Sequence, residues 1–429
     1  MDYKKLYAEK LVSAEKAASV VKSGDWVDYG WTTGTPVAVD AAIAKRLPEL
    51  ENVNFRGGIL MWVPEIFKIE NPAAHMTWNS WHMSGIERKA IAQGFSFYAP
   101  IRYSELPRYY RESATKPDVA VFQVAPMDEH GYFNFGPNAS HMAACCETSK
   151  VVIVEVNENM PVCLGGFENG IHISNVDMIV EGSNPTIAEM GGGAAATDVD
   201  EAVAKLILEE IPDGAVLSLG VGGVPFTVAN MLAQSDKTDL GCHTGTISDA
   251  FLALYKAGKL TNKKKEIDNG YSTWNLAMGS QELYDWLDNE PQLFHPADVD
   301  YVHSPYRIGE MKNVISINGG VELDLMGQEN AESAGTRQLS GIGGQMDFLE
   351  GAFRSEGGKG FICLASTHKK KDGSLKSNIV PFIPGGSTVS APRTMIQYVA
   401  TEYGIAKLTG LTLKERADAM IAIAHPDFR

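Results

Sequence analysis

Residues 200–234 read DEAVAKLILEEIPDGAVLSLGVGGVPFTVANMLAQ. This stretch consists of an amphipathic helical pattern, a turn at Gly214, a short apolar run, a glycine-rich loop that ends at Pro225 and a second helical pattern. A change from helical periodicity to a short apolar run bounded by glycine is typical of a helix–strand–helix unit. The stretch therefore predicts an α/β unit.

The same order of elements occurs near the N-terminus. Residues 15–45 read EKAASVVKSGDWVDYGWTTGTPVAVDAAIAK, with the turn at Gly24 and the loop ending at Pro36. Two copies of one pattern predict two domains with related α/β topology. The alternative is that helix, glycine, strand and glycine simply follow one another in many α/β proteins.

Further apolar runs predict buried strands in largely parallel sheets. These runs are Val119–Val124, Val151–Val156, Ala215–Leu219, Val314–Ile317 and Phe361–Ala365. A chain of 429 residues exceeds one ordinary core. Residues 182–200, GSNPTIAEMGGGAAATDVD, are typical of a linker, which places the boundary near residues 183–198. We expect an N-terminal domain of residues 1–190 and a C-terminal domain of residues 191–429.

Composition argues against several classes of protein. A net charge of −16 does not suit a general nucleic-acid binder. The five cysteines have neither the CxxC nor the Cys/His spacing of a metal site, and they fit a reducing cytoplasm. The sequence shows neither an apolar signal segment nor a run long enough to span a membrane. We expect a cytoplasmic protein that has no metal and that binds neither nucleic acid nor membrane.

Two glycine-rich loops are candidate anion sites, at residues 219–225 (LGVGGVP) and 340–345 (SGIGGQ). Loops without Cβ atoms let backbone N–H groups approach an anion, and a following helix N-terminus adds a favourable dipole. Neither loop has the Walker or GxGxxG spacing. Residues 126–133 form either a pocket lining or a plain turn, and the aromatic segment at residues 78–83 is more typical of packing.

The stretch at residues 240–249, LGCHTGTISD, follows an apparent strand and precedes a predicted helix at residues 250–257. Its polar residues predict a loop, with Asp249 as a plausible N-cap. From the residues alone, we predict a two-domain α/β protein with a glycine-rich cleft that favours anions.

Taken together, these segments resemble the butyryl-CoA:acetate and 4-hydroxybutyrate CoA-transferase family. The motifs run almost from end to end: LVSAEKAASVVKSGDWVDYGW (11–31), WNSWHMSGIERKA (78–90), PIRYSELPRYYRE (100–112), VAPMDEHGYFNFG (124–136), VEVNENMP (154–161), LGVGGVP (219–225), INGGVELDLMGQENAESAG (317–335), SGIGGQMDF (340–348), THKKKDGS (367–374), TEYGIAKLTG (401–410) and IAHPDF (423–428). The resemblance implies two CoA-transferase α/β domains with the active site at their interface, and a homodimer or homotetramer. It also implies that coenzyme A is bound as acyl-CoA substrate and product, and that a short-chain carboxylate is the partner substrate.

The resemblance carries over to particular positions. It implies that CoA is held by two glycine-rich loops and by two further stretches, at Gly220, Val221, Gly222, Gly223, Val224, Asn318, Gly320, Gly343, Gly344 and Lys369. The ammonium group of Lys369 would suit the phosphates of CoA.

The family's nucleophile is a glutamate in a His-Ser/Thr-Glu motif followed shortly by Asp. This sequence has His243, Thr244 and Asp249 in place, but Gly245 stands where the glutamate belongs. Glycine has no carboxylate with which to attack a thioester. Cys242 is a possible substitute nucleophile, although buried structural thiols are more common. Glu266 and Glu282 lie downstream, outside the motif.

Several functions stay open at this point. The leading expectation is a short-chain acyl-CoA:carboxylate CoA-transferase. The alternatives are a catalytically silent CoA-binding homologue, an acyl-CoA hydrolase in which His243 is the one evident base, and a scaffold without a ligand. Because family members continue past residues 425–428 with another charged helical segment, we also expect a truncated or altered version of the enzyme.

Overall fold

A computed structural model describes residues 2–190 and 195–429. The chain divides into two compact units. The first comprises residues 1–190 and 275–300, and the second comprises residues 191–274 and 301–429. Residues 275–300 thus group with the first unit, although the sequence suggested one uninterrupted C-terminal domain. The central part of the predicted linker, residues 191–194, lies outside the described residues.

The first unit contains a seven-stranded sheet with strand order β4-β3-β2-β1-β5-β7-β9, and all the neighbouring strands in it run parallel. The strands up to residue 190 are β1 Trp26–Asp28, β2 Val53–Gly57, β3 Met76–Ser80, β4 Ser96–Tyr98, β5 Val119–Val124, β6 Tyr132–Asn134, β7 Val151–Val156, β8 Gly170–His172 and β9 Met178–Glu181. The helices are α1 Tyr3–Lys10, α2 Ala14–Ala18, α3 Ala38–Arg46, α4 Gly85–Ala92, α5 Leu106–Glu112 and α6 Met142–Thr148. The predicted strands Val119–Val124 and Val151–Val156 have the predicted bounds, since apolar and β-branched residues suit a strand that is buried on both faces.

The elements from residue 198 onward include a second sheet and its helices. The strands are β10 Val216–Leu219, β11 Gly241–Ile247, β12 Ser272–Ala277, β13 Phe294–Pro296, β14 Val314–Gly319, β15 Glu322–Asp324, β16 Glu329–Asn330, β17 Ser333–Ala334, β18 Arg337–Gln338, β19 Lys359–Cys363, β20 Thr367–Lys369, β21 Leu375–Ser377, β22 Ile379–Val380, β23 Tyr398–Thr401 and β24 Gly404–Lys407. The helices are α7 Asp198–Glu209, α8 Gly223–Gln234, α9 Asp249–Lys256, α10 Gln281–Asn289, α11 Val299–Val302, α12 Pro305–Gly309, α13 Gln345–Arg354 and α14 Leu413–Ala422.

Within the second unit the main sheet has the order β12-β11-β10-β14-β19-β23-β24. The pairs from β11 to β23 for which a register is defined are parallel, and β23 pairs antiparallel with β24. The prediction of an α/β fold with mainly parallel sheets is confirmed. In both units a helix, a strand and a second helix follow one another as predicted: α2, β1 and α3 in the first, and α7, β10 and α8 in the second.

Local sequence explains how α7 begins. The Thr197 side chain accepts from the Asp200 backbone N–H, and the Asp200 carboxylate accepts from the Thr197 backbone N–H. Such a reciprocal capping box satisfies N–H groups that have no partner within the helix. The helix therefore starts at Asp198, two residues before the stretch 200–234 in which the sequence shows a helical pattern.

Two motifs that stood out in the sequence serve the fold. Trp78, on β3, is fully buried in the core of the first unit, which confirms the packing interpretation. Residues 126–133 form a turn that Asp128 closes by accepting from the backbone N–H groups of His130 and Tyr132. Tyr132 also lines an open cavity of about 520 Å³ together with His172 and Cys146, so this segment is both a turn and a pocket lining.

Among the described residues, no helix combines the length and the apolar character needed to cross a bilayer. The same residues contain no group of three His, Cys, Asp or Glu side chains placed to hold a metal ion.

Candidate functional site

The C-terminal ends of neighbouring parallel strands meet at one edge of the second unit's sheet. Strand β10 lies between β11 and β14, with Leu217 opposite Cys242 on one side and Leu219 opposite Ile317 on the other. Ligands of open α/β sheets bind outside the carboxyl ends of the strands. The first glycine-rich loop leaves β10 at this edge, and β11 carries position 245 toward the same edge.

The first loop, residues 220–224, is held close to strand β14. The backbone N–H of Gly220 donates to the Ile317 carbonyl (2.9 Å), and a Cβ atom at position 220 would lie 3.1 Å from that oxygen. Gly222 has a φ of +154°, which favours glycine. Helix α8 then begins at Gly223. Helix starts of this kind present backbone N–H groups that favour anions.

The α8 N-terminus already has a carboxylate beside it. A Cβ atom at Gly223 would lie 2.8 to 2.9 Å from the carboxylate atoms of Asp200. Any side chain at position 223 would displace the Asp200 capping box, so packing alone favours glycine at this position.

The stretch Asn318–Gly320 continues from β14 at the same edge. The Asn318 side-chain amide donates to the Ser316 hydroxyl (2.8 Å). A Cβ atom at Gly320 would lie 2.8 Å from Ile362 and 3.1 Å from the carboxylate of Glu329. Glu329 is fully buried, and burial raises its pKa to about 8.

Glu329 connects this stretch to the second glycine-rich loop. The side-chain amide of Gln345, the first residue of α13, donates to both carboxylate oxygens of Glu329 at 2.6 and 2.7 Å. Gly343 and Gly344 immediately precede Gln345, and Gly343 has a φ of +53°. The structure thus brings the 318–320 and 343–344 stretches together through one buried carboxyl group.

The motif at positions 243–249 lies on a strand rather than on the predicted loop. Residues Gly241–Ile247 form β11, in which position 245 is buried. The prediction of a loop was wrong because Thr, although polar, is β-branched and suits a buried strand as well as a loop. Asp249 is the first residue of α9, and Ser248 occupies the N-cap position that we expected for Asp249.

His243 is fully buried on β11. Its Nε2–H donates to the Val302 carbonyl (2.8 Å), and Nδ1 has no hydrogen-bond partner among the described residues. Burial lowers the pKa of His243 to about 3, and the nearby Lys265 ammonium also lowers it. The ring is therefore neutral at physiological pH and is a poor proton acceptor.

Cys242, next to it, is also fully buried, and burial raises the pKa of its thiol to about 12. Beside it, the buried Lys265 ammonium donates to the Cys242 carbonyl, the Tyr271 carbonyl and the Thr273 hydroxyl. A thiol in this environment stays protonated at neutral pH. These bonds fix the start of β11, and the one at position 242 goes to the backbone carbonyl rather than to the thiol.

The remaining sequence candidates lie on other elements. Lys369 is exposed on β20, which pairs with β21 in a hairpin. Glu266 accepts from the Lys312 backbone N–H just before β14, at the end of the sheet opposite the glycine loops. Glu282 is in the first turn of α10, within the segment that belongs to the first unit.

Sequence reasoning missed His303 and Lys265, together with the role of Glu329. His303 packs against Gly344, Lys265 holds β11, and Glu329 joins two loops. Each lies outside the glycine-rich motifs, at a position where no spacing rule applies. Their local sequences gave no signal, because Lys265 lies in the charged run NKKKEIDN (262–269), His303 in DYVHSP (300–305) and Glu329 in GQENAE (327–332).

Comparison with known families gives two matches. Residues 1–189 match the acetyl-CoA hydrolase/transferase N-terminal domain, and residues 279–429 match the acetyl-CoA hydrolase/transferase C-terminal domain.

Individual relatives cover the whole chain. A butyryl-CoA:acetate CoA-transferase from Anaerostipes caccae is 57% identical over 100% of this chain and 96% of its own length. A 4-hydroxybutyrate coenzyme A transferase from Clostridium kluyveri is 38% identical over 100% of this chain and 97% of its own. Among solved structures, RipA from Yersinia pestis is similar, with a TM-score of 0.90 and 33% identity over 100% of this chain and 97% of RipA. A 4-hydroxybutyrate CoA-transferase from Porphyromonas gingivalis has a TM-score of 0.80 and 32% identity over the same shares.

Proposed function

Because this chain belongs to the acetyl-CoA hydrolase/transferase family, we propose that it binds a short-chain acyl-CoA and is built to move CoA to a carboxylate such as acetate. We further propose that position 245 is the nucleophile position and that Gly245 removes the covalent step. The observation that carries this proposal is the position of Gly245, buried on β11 beside the strand that leads into the first glycine-rich loop.

The glycine-rich edge of the second unit supports CoA binding. The loops at residues 220–224 and 343–344 are built largely of glycine, and each leads into a helix of ten or more residues. Such helix starts favour anionic groups and developing oxyanions. The exposed Lys369 ammonium suits the phosphates of CoA. The acyl group and acceptor are inferred from relatives named for butyryl-CoA, 4-hydroxybutyrate and acetate.

A glutamate at position 245 would transfer CoA through a series of covalent intermediates. Its carboxylate attacks the thioester carbonyl and expels CoA thiolate, which leaves an acyl-glutamyl anhydride. The thiolate then attacks the glutamyl carbonyl, releasing the first carboxylate and forming a glutamyl-CoA thioester. An acceptor carboxylate reverses the sequence and departs with CoA. The relay conserves the thioester energy while water is excluded. Gly245 supplies no oxygen for the first attack.

The second candidate function is acyl-CoA binding without turnover, and Gly245 favours it. Hydrolysis is less well supported, because it needs a base to activate water. His243 is fully buried, its Nε2–H is already donated to a carbonyl, and burial lowers its pKa to about 3.

The decisive experiment measures acetyl-CoA formation from butyryl-CoA and labelled acetate. The unaltered chain is compared with Gly245→Glu and with Gly245→Gln, which matches the glutamate in size but lacks a carboxylate. We expect transfer only from Gly245→Glu, since loss of a covalent nucleophile commonly costs several orders of magnitude in rate. Free CoA release without acetate reports hydrolysis separately.

A second measurement keeps the proposal testable if Gly245→Glu does not fold. The unaltered chain should bind CoA with a micromolar Kd in calorimetry. Absence of CoA binding to the folded chain would refute the proposed function. Rapid transfer by the unaltered chain would instead show that another residue is the nucleophile.

A further inference from the structure

The contacts of His243 reach from strand β11 toward the second glycine-rich loop. His243 is on β11, two residues before Gly245. The second glycine-rich loop ends at Gly344, and helix α13 follows it from Gln345. All of these residues belong to the second unit. The strand that carries position 245 and the loop assigned to CoA can therefore be compared within one compact unit.

A buried hydrogen bond joins His243 to residue 302. The Nε2–H of His243 donates to the Val302 carbonyl at 2.8 Å, and both residues are fully buried. Because a carbonyl can only accept, Nε2 carries the proton and the ring is held in one tautomer. The other ring nitrogen, Nδ1, is buried without a hydrogen-bond partner among the described residues. The bond to Val302 therefore fixes both the orientation and the tautomer of the ring.

The residue after Val302 packs against the second glycine-rich loop. The His303 ring leaves no space for a Cβ atom on Gly344. Its Nδ1 is 3.5 Å from the Asp347 carboxylate on α13, and both side chains are buried. The carbonyl that His243 holds belongs to the planar peptide group that leads into His303. A change in the orientation of that peptide would therefore move the ring that supports the loop.

A ring contact joins the same elements a second time. The centre of the Phe348 ring, on α13, is 6.3 Å from that of His243 and 4.8 Å from that of His303. Aromatic rings at such separations make edge contacts that stabilise a core. Because close-packed interiors have few voids, a displacement at one of these rings is transmitted to the next. Strand β11, the peptide of residues 302 and 303 and the first turn of α13 thus form one packed layer.

We propose that His243 is a positioning residue, which holds the second glycine-rich loop in place through the peptide of residues 302 and 303. The assignment rests on the proposed function, which gives this loop its part in CoA binding. Loops that bind a ligand need a second layer of side chains to hold them at the productive geometry. His243 acts on the loop from behind and exchanges no proton with the substrate.

The surroundings of the ring agree with a role that needs no proton transfer. The ionisable groups that face it are Lys265, Asp268 and His303. Burial is the largest cause that lowers the pKa of His243, to about 3, so the ring stays neutral through the physiological range. A neutral ring keeps the same hydrogen bond to Val302 at every pH in that range.

Hydrogen exchange measured by mass spectrometry tests the link in the full chain without any ligand. We expect His243→Leu to raise the exchange rate of the amides at residues 340–347 roughly five- to ten-fold, because a buried hydrogen bond is lost. Exchange at β23, residues 398–401 of the same unit, should stay unchanged. His243→Gln should restore the rate of the unaltered chain, since its amide nitrogen can donate to the same carbonyl.

Two further variants make this experiment specific. The matched control is Cys242→Ala, since Cys242 is buried on the same strand and its thiol contacts the Thr273 carbonyl (4.0 Å) instead of residue 302. That variant should leave exchange at residues 340–347 unchanged. If His243→Leu does not fold, His243→Asn replaces it, because the Asn amide is polar but too short to reach the Val302 carbonyl.

Calorimetry with CoA then connects the loop to binding. We expect His243→Leu to weaken CoA affinity roughly five- to ten-fold and His243→Gln to keep it. When Gly245→Glu is present as well, His243→Leu should raise the KM for butyryl-CoA more than it lowers kcat. His243→Gln should keep the pH profile of kcat, whereas a proton acceptor at position 243 would make the Gln variant lose kcat and one limb of that profile.

The outcomes separate this inference from the proposed function. If CoA does not bind the unaltered chain, the proposed function fails, and hydrogen exchange still decides whether His243 holds the loop. Unchanged exchange at residues 340–347 in His243→Leu would overturn the inference. Equally fast exchange at β23 would also overturn it, because His243 would then stabilise the whole unit. Failure of His243→Gln to restore the slow exchange would refute the hydrogen bond to Val302 as the link.

Discussion

The imidazole of His303 occupies the space that a side chain at position 344 would need. A Cβ atom on Gly344 would lie 1.9 Å from Cε1 and 2.1 Å from Nδ1 of His303. His303 is itself held in the core, with its ring 4.8 Å from that of Phe348 and Nδ1 3.5 Å from the Asp347 carboxylate. The second glycine-rich loop therefore requires glycine at position 344, because the His303 ring packs against its backbone.

Replacing this glycine should disrupt the loop. We expect Gly344→Ala to lower the free energy of unfolding by about 1–3 kcal/mol, because a methyl group forces His303 or the α13 N-terminus to move. CoA affinity should fall at the same time. Urea unfolding and calorimetry measure both effects.

The matched control is Gly385→Ala, since a Cβ atom at Gly385 would have no neighbour within 4 Å. That variant should keep the stability and the CoA affinity of the unaltered chain. Equal stability of the two variants would contradict the packing argument.

Glu329 should make stability depend on pH. Burial raises its pKa from the usual 4.5 to about 8, with a further contribution from Glu332. Between these values the folded chain keeps a proton that the unfolded chain releases. The stability that Glu329 contributes is therefore fully present below about pH 4.5 and is lost as pH rises through about 8. Gln is neutral at every pH. The free energy of unfolding of Glu329→Gln should therefore rise relative to that of the unaltered chain as pH increases.

The measurement is the free energy of unfolding of both proteins from pH 5 to 9. The difference in free energy of unfolding between Glu329→Gln and the unaltered chain should grow toward alkaline pH by on the order of a few kcal/mol and then level off. Glu209→Gln, at an exposed position near the end of α7, measures the effect of removing one surface charge. A pH-independent difference between Glu329→Gln and the unaltered chain would mean that Glu329 is already ionised in the folded state.

The reach of sequence reasoning differs between elements. Strands such as Val119–Val124 were predicted with the observed bounds because a mainly apolar, β-branched run favours a strand that is buried on both faces of a sheet. The strand at Gly241–Ile247 was missed because its polar residues are buried by neighbours distant in sequence. The contact of His303 with Gly344 joins positions 41 residues apart, and short-range patterns carry no information about such a contact.

Cys242 should be chemically silent. Its thiol is fully buried, and burial raises its pKa to about 12, so the reactive thiolate is scarce at neutral pH. We expect Cys242→Ala, introduced together with Gly245→Glu, to keep most of the transfer activity of Gly245→Glu alone. A thiol reagent should label Cys242 in the folded protein far more slowly than in urea, as mass spectrometry of the labelled peptide would show. Loss of all transfer activity with unchanged folding would point to a chemical role for the thiol.

Glu155 stabilises the start of α3 from a neighbouring strand. Its carboxylate accepts from the backbone N–H groups of Val37 (3.1 Å), Ala38 (2.9 Å) and Val39 (2.9 Å). Glu155→Ala leaves three N–H groups without an acceptor, and we expect it to lower the free energy of unfolding by about 3 kcal/mol or more. Glu155→Gln should cost less, because its amide oxygen still accepts.

The control for this prediction is Glu158→Ala, since Glu158 follows β7 and is exposed. Urea unfolding should show little change for that variant. A loss of stability in Glu158→Ala as large as that in Glu155→Ala would contradict a specific role of the Glu155 carboxylate at the start of α3.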